Sequence, residues 1–253
     1  GIIANIEGGA LSNEGLAKLA ALDPETLPPV EGNPRLGPPV AGVQKFIGIG
    51  LNFTDHAKEA GLPIPDEPIL FSKAVSSLSG PNDDIVFPPG ALKADWEAEL
   101  AIIIGEKAKH VGQTDALSHV AGYAVCNDVS ERAYQFESTG DWLKGKSQDT
   151  WGPLGPWLVT RDEIPDPQAL NIWLDVNGTR MQSGHTGRMI FPVSRLVSYV
   201  SEFMTLFPGD IITTGTPPGV AMGRDPQLWL KDGDVVTLGL DGLGEQRQSV
   251  VFT

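Results

Sequence analysis

The sequence is poor in the features that mark several large functional classes. Its 253 residues include a single cysteine, Cys126, so an internal disulfide is excluded and a reducing compartment is favoured. No apolar run is long enough to span a bilayer. Asp and Glu outnumber Lys and Arg by 32 to 18, which gives a net charge of −14. We therefore expect a cytoplasmic protein that binds neither nucleic acid nor anionic membrane.

Signature motifs of three enzyme classes are also missing. The chain has no glycine-rich phosphate loop, no zinc-type spacing of cysteine and histidine, and no Gly-x-Ser-x-Gly elbow. These absences argue against dinucleotide, zinc and serine-hydrolase chemistry. Cys126 lies in an apolar stretch, so we expect a buried, inert thiol rather than a nucleophile.

The distribution of proline, glycine and apolar residues divides the chain into two regions. Residues 1–42 are interpreted as a partial N-terminal region, with a short helix over 11–20 and a proline-rich extended arm over 23–42. Residues 43–253 are interpreted as one catalytic domain. No signal peptide is visible and the chain begins with Gly1, so we expect that a natural N-terminal piece is missing.

Short apolar segments separated by turn residues dominate the second region. They predict strands over 45–50, 70–73, 99–104, 122–126, 157–159, 171–176, 210–214, 234–240 and 246–252. Residues 176–179 carry a strong hairpin turn signal. Helices are predicted over 55–60, 115–120, 130–137 and 192–203. This density of strands predicts an α+β fold, a mixed β-sandwich or roll with helices around it.

Two glutamates stand at the start of a predicted buried strand. Because side chains alternate along a strand, Glu97 and Glu99 point to one side, about 6–7 Å apart, and Trp96 points to the other. Carboxylates this close repel each other, and a bound cation would remove the repulsion. The alternative is a strand end with two solvated acids.

A third acid, Asp128, ends the predicted strand 122–126, and ligands in sheet-based enzymes gather at strand ends. Glu97, Glu99 and Asp128 would form an oxygen-only site. Hard oxygen ligands select Mg²⁺, Mn²⁺ or Ca²⁺ rather than zinc. The sequence therefore predicts a divalent metal site.

A candidate general base lies in the predicted helix 55–60. His56 and Glu59 are three residues apart and share a helix face, so the carboxylate can hold the imidazole in place. An imidazole held in this way is a natural base for activating water. The alternative is a surface helix with incidental charges.

Three further groups are candidates for substrate contacts. Arg132 and Gln135 share a helix face near Asp128. Lys146 lies with Lys144 in a loop punctuated by glycine, and the alternative for both lysines is solubility. Thr216 lies in a rigid turn over 215–219 that can present it to a carboxylate, and the alternative is a plain tight turn.

Seven segments together resemble the fumarylacetoacetate hydrolase family, in that family's order. They are GLNFTDH at 50–56, FSK at 71–73, WEAEL at 96–100, NDVS at 127–130, KGKS at 144–147, GPLGPW at 152–157 and TGTPPGV at 214–220. The resemblance covers about 43–253 and implies a mixed β-sandwich roll, a divalent metal and a dimer. Family members cleave, decarboxylate or isomerise acylpyruvate-like acids. A tryptophan, Trp96, stands where the family commonly has tyrosine.

The resemblance also implies roles for ten residues. The metal ligands would be Glu97, Glu99 and Asp128, with Mg²⁺ as the ion and Mn²⁺ as a substitute. His56 and Glu59 would form a water-activating pair on a mobile lid, and Lys146 would be the active-site lysine. The substrate pocket would be lined by Lys73, Arg132, Gln135 and Thr216.

Within the family, residues 141–142, 149–150 and 222–223 are similar to bacterial hydrolases of 2,4-diketo-3-deoxy-L-rhamnonate or its L-fuconate epimer. This likeness implies cleavage to pyruvate and lactate by a homodimer or higher homo-oligomer. A fumarylpyruvate or acylpyruvate hydrolase, an oxaloacetate decarboxylase and a diene-dioate isomerase are alternatives. A non-catalytic, metal-dependent binding module is the alternative outside enzymes.

Overall fold

The computed structural model describes residues 5–253, and within that range it contains five α-helices and fourteen β-strands. The helices are α1 Asn13–Ala20, α2 Thr54–Glu59, α3 Arg132–Phe136, α4 Trp142–Lys146 and α5 Val193–Phe203. None of these helices is long and apolar enough to cross a bilayer. Short 3₁₀ turns lie at Gly8–Leu11, Pro24–Thr26, Val75–Ser77, Ala116–His119, Thr186–Arg188 and Ala221–Gly223.

The strands form two large sheets and one small pair. The strands are β1 Phe46–Gly50, β2 Ile69–Lys73, β3 Leu78–Ser79, β4 Ile85–Phe87, β5 Ala94–Asp95, β6 Ala98–Ile104, β7 Val120–Asn127, β8 Ser130–Glu131, β9 Gly152–Thr160, β10 Asn171–Val176, β11 Thr179–His185, β12 Ile211–Thr213, β13 Val235–Leu240 and β14 Gly244–Phe252. The central sheet has the order β2-β1-β12-β6-β7-β9-β3, and the second has the order β11-β10-β13-β14-β4. β5 pairs with β8. The predicted α+β class with packed sheets is confirmed.

The central sheet is strongly curled. Its two edge strands, β2 and β3, are consecutive in the chain and are joined only by residues 74–77. Two edges that lie this close together require the sheet to bend round on itself, as in a roll. The curl brings the end of β2 close to the end of β7, although three strands separate them in the sheet order.

Strand β6 shows how the apolar pattern builds two cores. All seven of its residues are buried, and alternate side chains enter different clusters. Leu100 and Ile102 pack between the two large sheets, whereas Ile103 packs on the face that the curl encloses. Leu11 and Val40 pack on that second face, so the predicted N-terminal region 1–42 contacts the sheet through its described residues. The first four residues of that region lie outside the described part of the chain.

Several local predictions are confirmed. The hairpin joins β10 to β11 with Val176 opposite Thr179, and Asn177 and Gly178 adopt the positive φ angles, 51° and 75°, of a two-residue turn. Cys126 is buried on β7, and burial raises the pKa of its thiol well above the usual range, as expected for an inert side chain.

Other local predictions are wrong. The loop expected around Lys146 is the last turn of α4, whose first turn is capped by the Asp141 carboxylate accepting from the Lys144 N–H at 3.1 Å. The helix expected over 130–137 begins two residues later, because 130–131 pair with β5 as a strand. The strand expected over 157–159 extends over the whole of β9.

Candidate active site

Three carboxylates meet where β6 and β7 end. These strands are antiparallel neighbours with Ala98 opposite Asn127, so the residues just beyond this pair, Glu97 and Asp128, lie side by side. The Asp128 N–H donates to the Glu97 carbonyl at 2.9 Å and extends the ladder. One oxygen from each of Glu97, Glu99 and Asp128 lies within 4.8 Å of the other two, and all three residues are buried. The alternative of solvated acids is therefore wrong.

Lys146 balances two of these carboxylates. Its Nζ donates to Glu97 Oε2 at 2.8 Å, to Asp128 Oδ2 at 2.7 Å and to the Ser130 hydroxyl at 2.9 Å. Burial alone would lower the pKa of the Lys146 ammonium, but Asp128 and Glu97 outweigh burial and raise it. Lys146 is therefore a permanent positive charge at the carboxylate cluster.

Arg132 joins the cluster from the first turn of α3. Its Nη2 donates to Glu97 Oε1 at 2.6 Å, its Nη1 to Gln135 Oε1 at 2.9 Å and its Nε to Asp95 Oδ2 at 2.8 Å. Arg132 and Gln135 thus meet at the cluster, where the sequence placed them. Three bonds from one planar guanidinium hold its orientation tightly.

Asp95 belongs to the site although the sequence analysis did not single it out. Its fully buried carboxylate accepts from Arg132 and from the backbone N–H groups of Ala221 and Met222, at 2.7 and 3.1 Å. The alternation that pairs Glu97 with Glu99 also places Asp95, two residues earlier, on the same side. That spacing was the signal for including it.

Glu99 differs from its two neighbours. Its carboxylate accepts from the Gly215 N–H at 2.9 Å, and within residues 5–253 it has no cationic partner. Burial, then the charges of Asp128 and Glu97, raise the pKa of Glu99 well above its usual range. Burial also acts to raise the pKa of Glu97, but Lys146 and Arg132 outweigh it and lower that pKa. An oxygen-only donor set with one uncompensated carboxylate fits a hard divalent cation.

Lys73 does not line the cavity, although the resemblance implies that it lines the substrate pocket. The curl of the sheet puts its Nζ 2.6 Å from Asp128 Oδ1 and in contact with the backbone carbonyl of Lys146. It is buried and absent from the cavity wall. The geometry therefore makes Lys73 a support for Asp128 and Lys146, in place of the expected substrate contact.

The His56–Glu59 pair forms on α2. The two side chains meet with His56 Nδ1 2.9 Å from Glu59 Oε2, and Glu59 Oε1 accepts from the Gly219 N–H at 2.9 Å. Because a carboxylate only accepts, we assign the Nδ1 proton to this bond, which leaves Nε2 as the basic nitrogen. Both carboxylate oxygens of Glu59 are held, so the pair is more than an incidental surface contact.

His56 of the His56–Glu59 pair lines the same cavity, of about 140 Å³, as Glu97 and Glu99 of the carboxylate cluster. Its polar lining residues are His56, Glu97, Glu99, Arg132, Gln135, Lys146 and Thr216, and the rest of the wall is apolar or glycine. A second cavity of about 390 Å³ adjoins it and shares His56, Ala60, Leu62, Phe136 and Met222. Five of the seven expected catalytic and pocket residues thus line the cavity; Glu59 lines the adjoining one and Lys73 lines neither.

Thr216 lines the cavity, and its hydroxyl group forms two hydrogen bonds within the protein. The hydroxyl donates to the Ala98 carbonyl and accepts from Gln182 Nε2, both at 2.8 Å. The preceding N–H, that of Gly215, is bonded to Glu99. The turn 215–219 therefore braces strand β6 and a carboxylate of the cluster. Thr216 lines the cavity, and its contact with a substrate stays a prediction.

Comparison with known proteins identifies the family to which this chain is similar. The model of the fumarylacetoacetate (FAA) hydrolase C-terminal family matches residues 45–251. A protein of Burkholderia cenocepacia, named no more specifically than as a hydrolase, is 58% identical over 248 residues, which cover 98% of this chain and 88% of the relative.

Two solved structures show the same fold. Fumarylacetoacetate hydrolase from the psychrophilic Exiguobacterium antarcticum has a TM-score of 0.82 and 38% identity, covering 92% of this chain and 83% of that one. A 2-hydroxyhepta-2,4-diene-1,7-dioate isomerase from Mycobacterium marinum has a TM-score of 0.73 and 37% identity, covering 83% of this chain and 75% of that one. These likenesses confirm the predicted sandwich-roll fold.

Proposed function

The chain belongs to the fumarylacetoacetate hydrolase family, and from this premise we propose that it is a Mg²⁺-dependent hydrolase that cleaves a carbon–carbon bond of a 2,4-diketo acid. Mn²⁺ would substitute for Mg²⁺. The observation that carries the proposal is that His56, held by Glu59, lines the same cavity as the carboxylates Glu97 and Glu99. A positioned base beside a metal-type cluster is the arrangement that water activation needs.

The carboxylates of Glu97, Glu99 and Asp128 would hold the cation. When bound, the ion would supply Lewis-acid stabilisation for negative charge on the substrate's oxygens. Arg132 donates to Oε1 of Glu97 and Lys146 donates to Oε2, so the two cations would keep the orientation of this carboxylate while it acts as a ligand.

The chain's own residues account for the proton transfers and the bond cleavage. Nε2 of His56 would take a proton from a water molecule whose oxygen bonds to the C4 carbonyl carbon. Collapse of the resulting tetrahedral centre breaks the C3–C4 bond, leaving a carboxylic acid at C4 and the electron pair on C3 as the enolate of pyruvate. Transfer of the proton from the His56 imidazolium to C3 then completes the products and restores the base. Glu59 would stabilise the imidazolium that forms on His56.

Lys146 would stabilise the negative charge that develops during cleavage. All three of its N–H donors are engaged, so it must exchange one of them. The Ser130 hydroxyl is the neutral acceptor of the three and therefore the cheapest to release.

Two other reactions and one non-enzymatic role compete with hydrolysis. A decarboxylase or a diene-dioate isomerase would use the same carboxylates without attacking water, and the Mycobacterium marinum relative bears the name of such an isomerase. The double anchoring of Glu59 favours hydrolysis, since neither alternative needs a base held ready for water. The same pair disfavours a binding module.

The sequence likeness favours 2,4-diketo-3-deoxy-L-rhamnonate or its L-fuconate epimer, which would yield pyruvate and lactate, and an acylpyruvate is the alternative that the apolar cavity wall favours. The assembly proposed is a homodimer. The decisive experiment incubates the purified protein and Mg²⁺ with these acids, acylpyruvates, oxaloacetate and 2-hydroxyhepta-2,4-diene-1,7-dioate, and identifies the products. Equal amounts of pyruvate and a second carboxylic acid would support the proposal. Turnover of oxaloacetate or a diene-dioate, with no diketo acid cleaved, would overturn it.

We expect Lys146→Met to lower kcat more than it raises KM, because the charge that Lys146 meets develops after substrate binding. Lys144→Met is the matched control: Lys144 is exposed, and its Nζ donates to the Thr139 carbonyl at 3.3 Å. Steady-state kinetics with one diketo acid, together with melting curves of both variants, test this. A raised KM with kcat retained would mean that Lys146 only anchors the substrate.

A further inference from the structure

The part of the cavity beyond the carboxylate cluster has an aromatic wall. The Phe71 ring lies 5.1 Å from Lys146 Nζ, the Trp142 ring follows at 5.2 Å between centroids, and the Phe136 ring follows Trp142 at 6.0 Å. Phe136 is 50% exposed, so this series of rings runs from the catalytic lysine to the protein surface. All three rings line the cavity.

Two glycines of strand β1, Gly48 and Gly50, leave space for these rings. A Cβ atom added at Gly48 would lie 2.1 Å from the Phe71 ring, and one added at Gly50 would lie 2.6 Å from the Trp142 ring. Neither distance is possible between unbonded atoms. Only glycine at these two positions therefore allows the rings to pack against strand β1. The aromatic wall is therefore fixed by the central sheet.

Other residues that line the cavity are also apolar. Leu62, Ala60 and Met222 line both this cavity and the adjoining one of about 390 Å³, so the open space continues between them and Phe136. Within the described part of the chain, the lysine and arginine side chains that line either cavity are Arg132 and Lys146. Both are paired with Glu97.

We propose that the acyl part of the substrate, beyond C4, is an uncharged alkyl or aryl group that lies along Phe71, Trp142 and Phe136. This inference rests on the proposed function, because it assumes that the diketo acid head binds at the carboxylate cluster. A second carboxylate at the far end would lose its hydration against aromatic rings without gaining a cation. The single hydroxyl on C5 of the 2,4-diketo-3-deoxy sugar acids would likewise exchange water for apolar neighbours, so the wall favours plain acylpyruvates over them.

The first test compares kcat/KM across a substrate series at saturating Mg²⁺. The series is 2,4-dioxopentanoate, 2,4-dioxohexanoate, 2,4-dioxoheptanoate and benzoylpyruvate, set against fumarylpyruvate and 2,4-diketo-3-deoxy-L-rhamnonate. We expect kcat/KM to rise about fourfold for each added methylene, from the transfer free energy of a buried CH₂. Preference for fumarylpyruvate or the sugar acid would overturn this inference alone. Cleavage of no diketo acid would overturn the proposed function and this inference with it.

The second test places a cation on the wall. Phe136→Arg should raise the ratio of kcat/KM for fumarylpyruvate to that for 2,4-dioxohexanoate by roughly two- to fivefold, because the new charge offers the far carboxylate a partner at a half-exposed position. Phe203→Arg is the matched control, since Phe203 is 60% exposed, lies at the end of α5 and lines neither cavity. A ratio unchanged in Phe136→Arg, or changed equally in both variants, would show that the acyl group does not lie on this wall.

Discussion

Exhaustive chelation with EDTA should abolish cleavage of the diketo acid, and Mg²⁺ or Mn²⁺ should restore it. The reason is that three buried carboxylates, with oxygens within 4.8 Å of one another, form a donor set for one hard cation. Glu97→Ala, Glu99→Ala and Asp128→Ala should each abolish activity, because each removes one of three oxygen ligands. Pyruvate release and calorimetric titration with Mg²⁺ measure the two effects separately.

Glu99→Gln is the sharpest of these variants, because Glu99 has the one carboxylate in the cluster without a cationic partner among the described residues, and the change keeps its volume. Removing its charge should cost ion affinity without freeing a buried lysine or arginine. Glu245→Ala, an exposed acid on β14, is the control and should behave as the parent. Full activity after complete chelation would contradict the metal hypothesis.

Loss of the His56 imidazole should produce the second large defect. His56→Ala should lower the rate of hydrolysis about 10²- to 10⁴-fold, the usual contribution of a general base, while Mg²⁺ still binds. Binding should survive because His56 bonds to Glu59 and has no hydrogen bond to the carboxylate cluster in the described chain. Rates and Mg²⁺ titrations of the same preparations make the comparison.

Glu59→Gln should cost less than His56→Ala, since the amide can still hold the ring although it cannot balance the imidazolium. Lys58→Ala is the control on the same helix, because Lys58 is exposed. If His56→Ala hydrolyses the substrate at the parent rate, water is activated by another group and the assignment of the base is wrong.

Local periodicity predicted the parts of the site that lie within one strand. Glu97 and Glu99 share a side because strands alternate, and Asp128 follows the end of a neighbouring apolar run. The place of Lys73 could not be predicted in this way. It depends on the curl of a seven-stranded sheet, which brings β2 back towards β7, and no short segment of the sequence encodes that curvature.

Helix α4 was missed for a different reason. Asp141 is a good N-cap, but Gly145 in the middle of the segment is typical of a loop. The glycine is required by packing: a Cβ at Gly145 would lie 2.7 Å from Cβ of Gln135 on α3. Close contact between these two consecutive helices overrides local propensity, and that contact positions both Gln135 and Lys146.

The charges at the buried cluster do not cancel. Four carboxylates and three cationic side chains are linked or adjacent there: Asp95, Glu97, Glu99 and Asp128 with Lys73, Arg132 and Lys146. With every group ionised the cluster has one surplus negative charge, and a divalent ion would turn this into one surplus positive charge. The loaded cluster would therefore attract an anionic diketo acid more strongly than the empty one, whatever the overall charge of −14. Bound ion should thus tighten substrate binding, and bound substrate should tighten ion binding by the same factor.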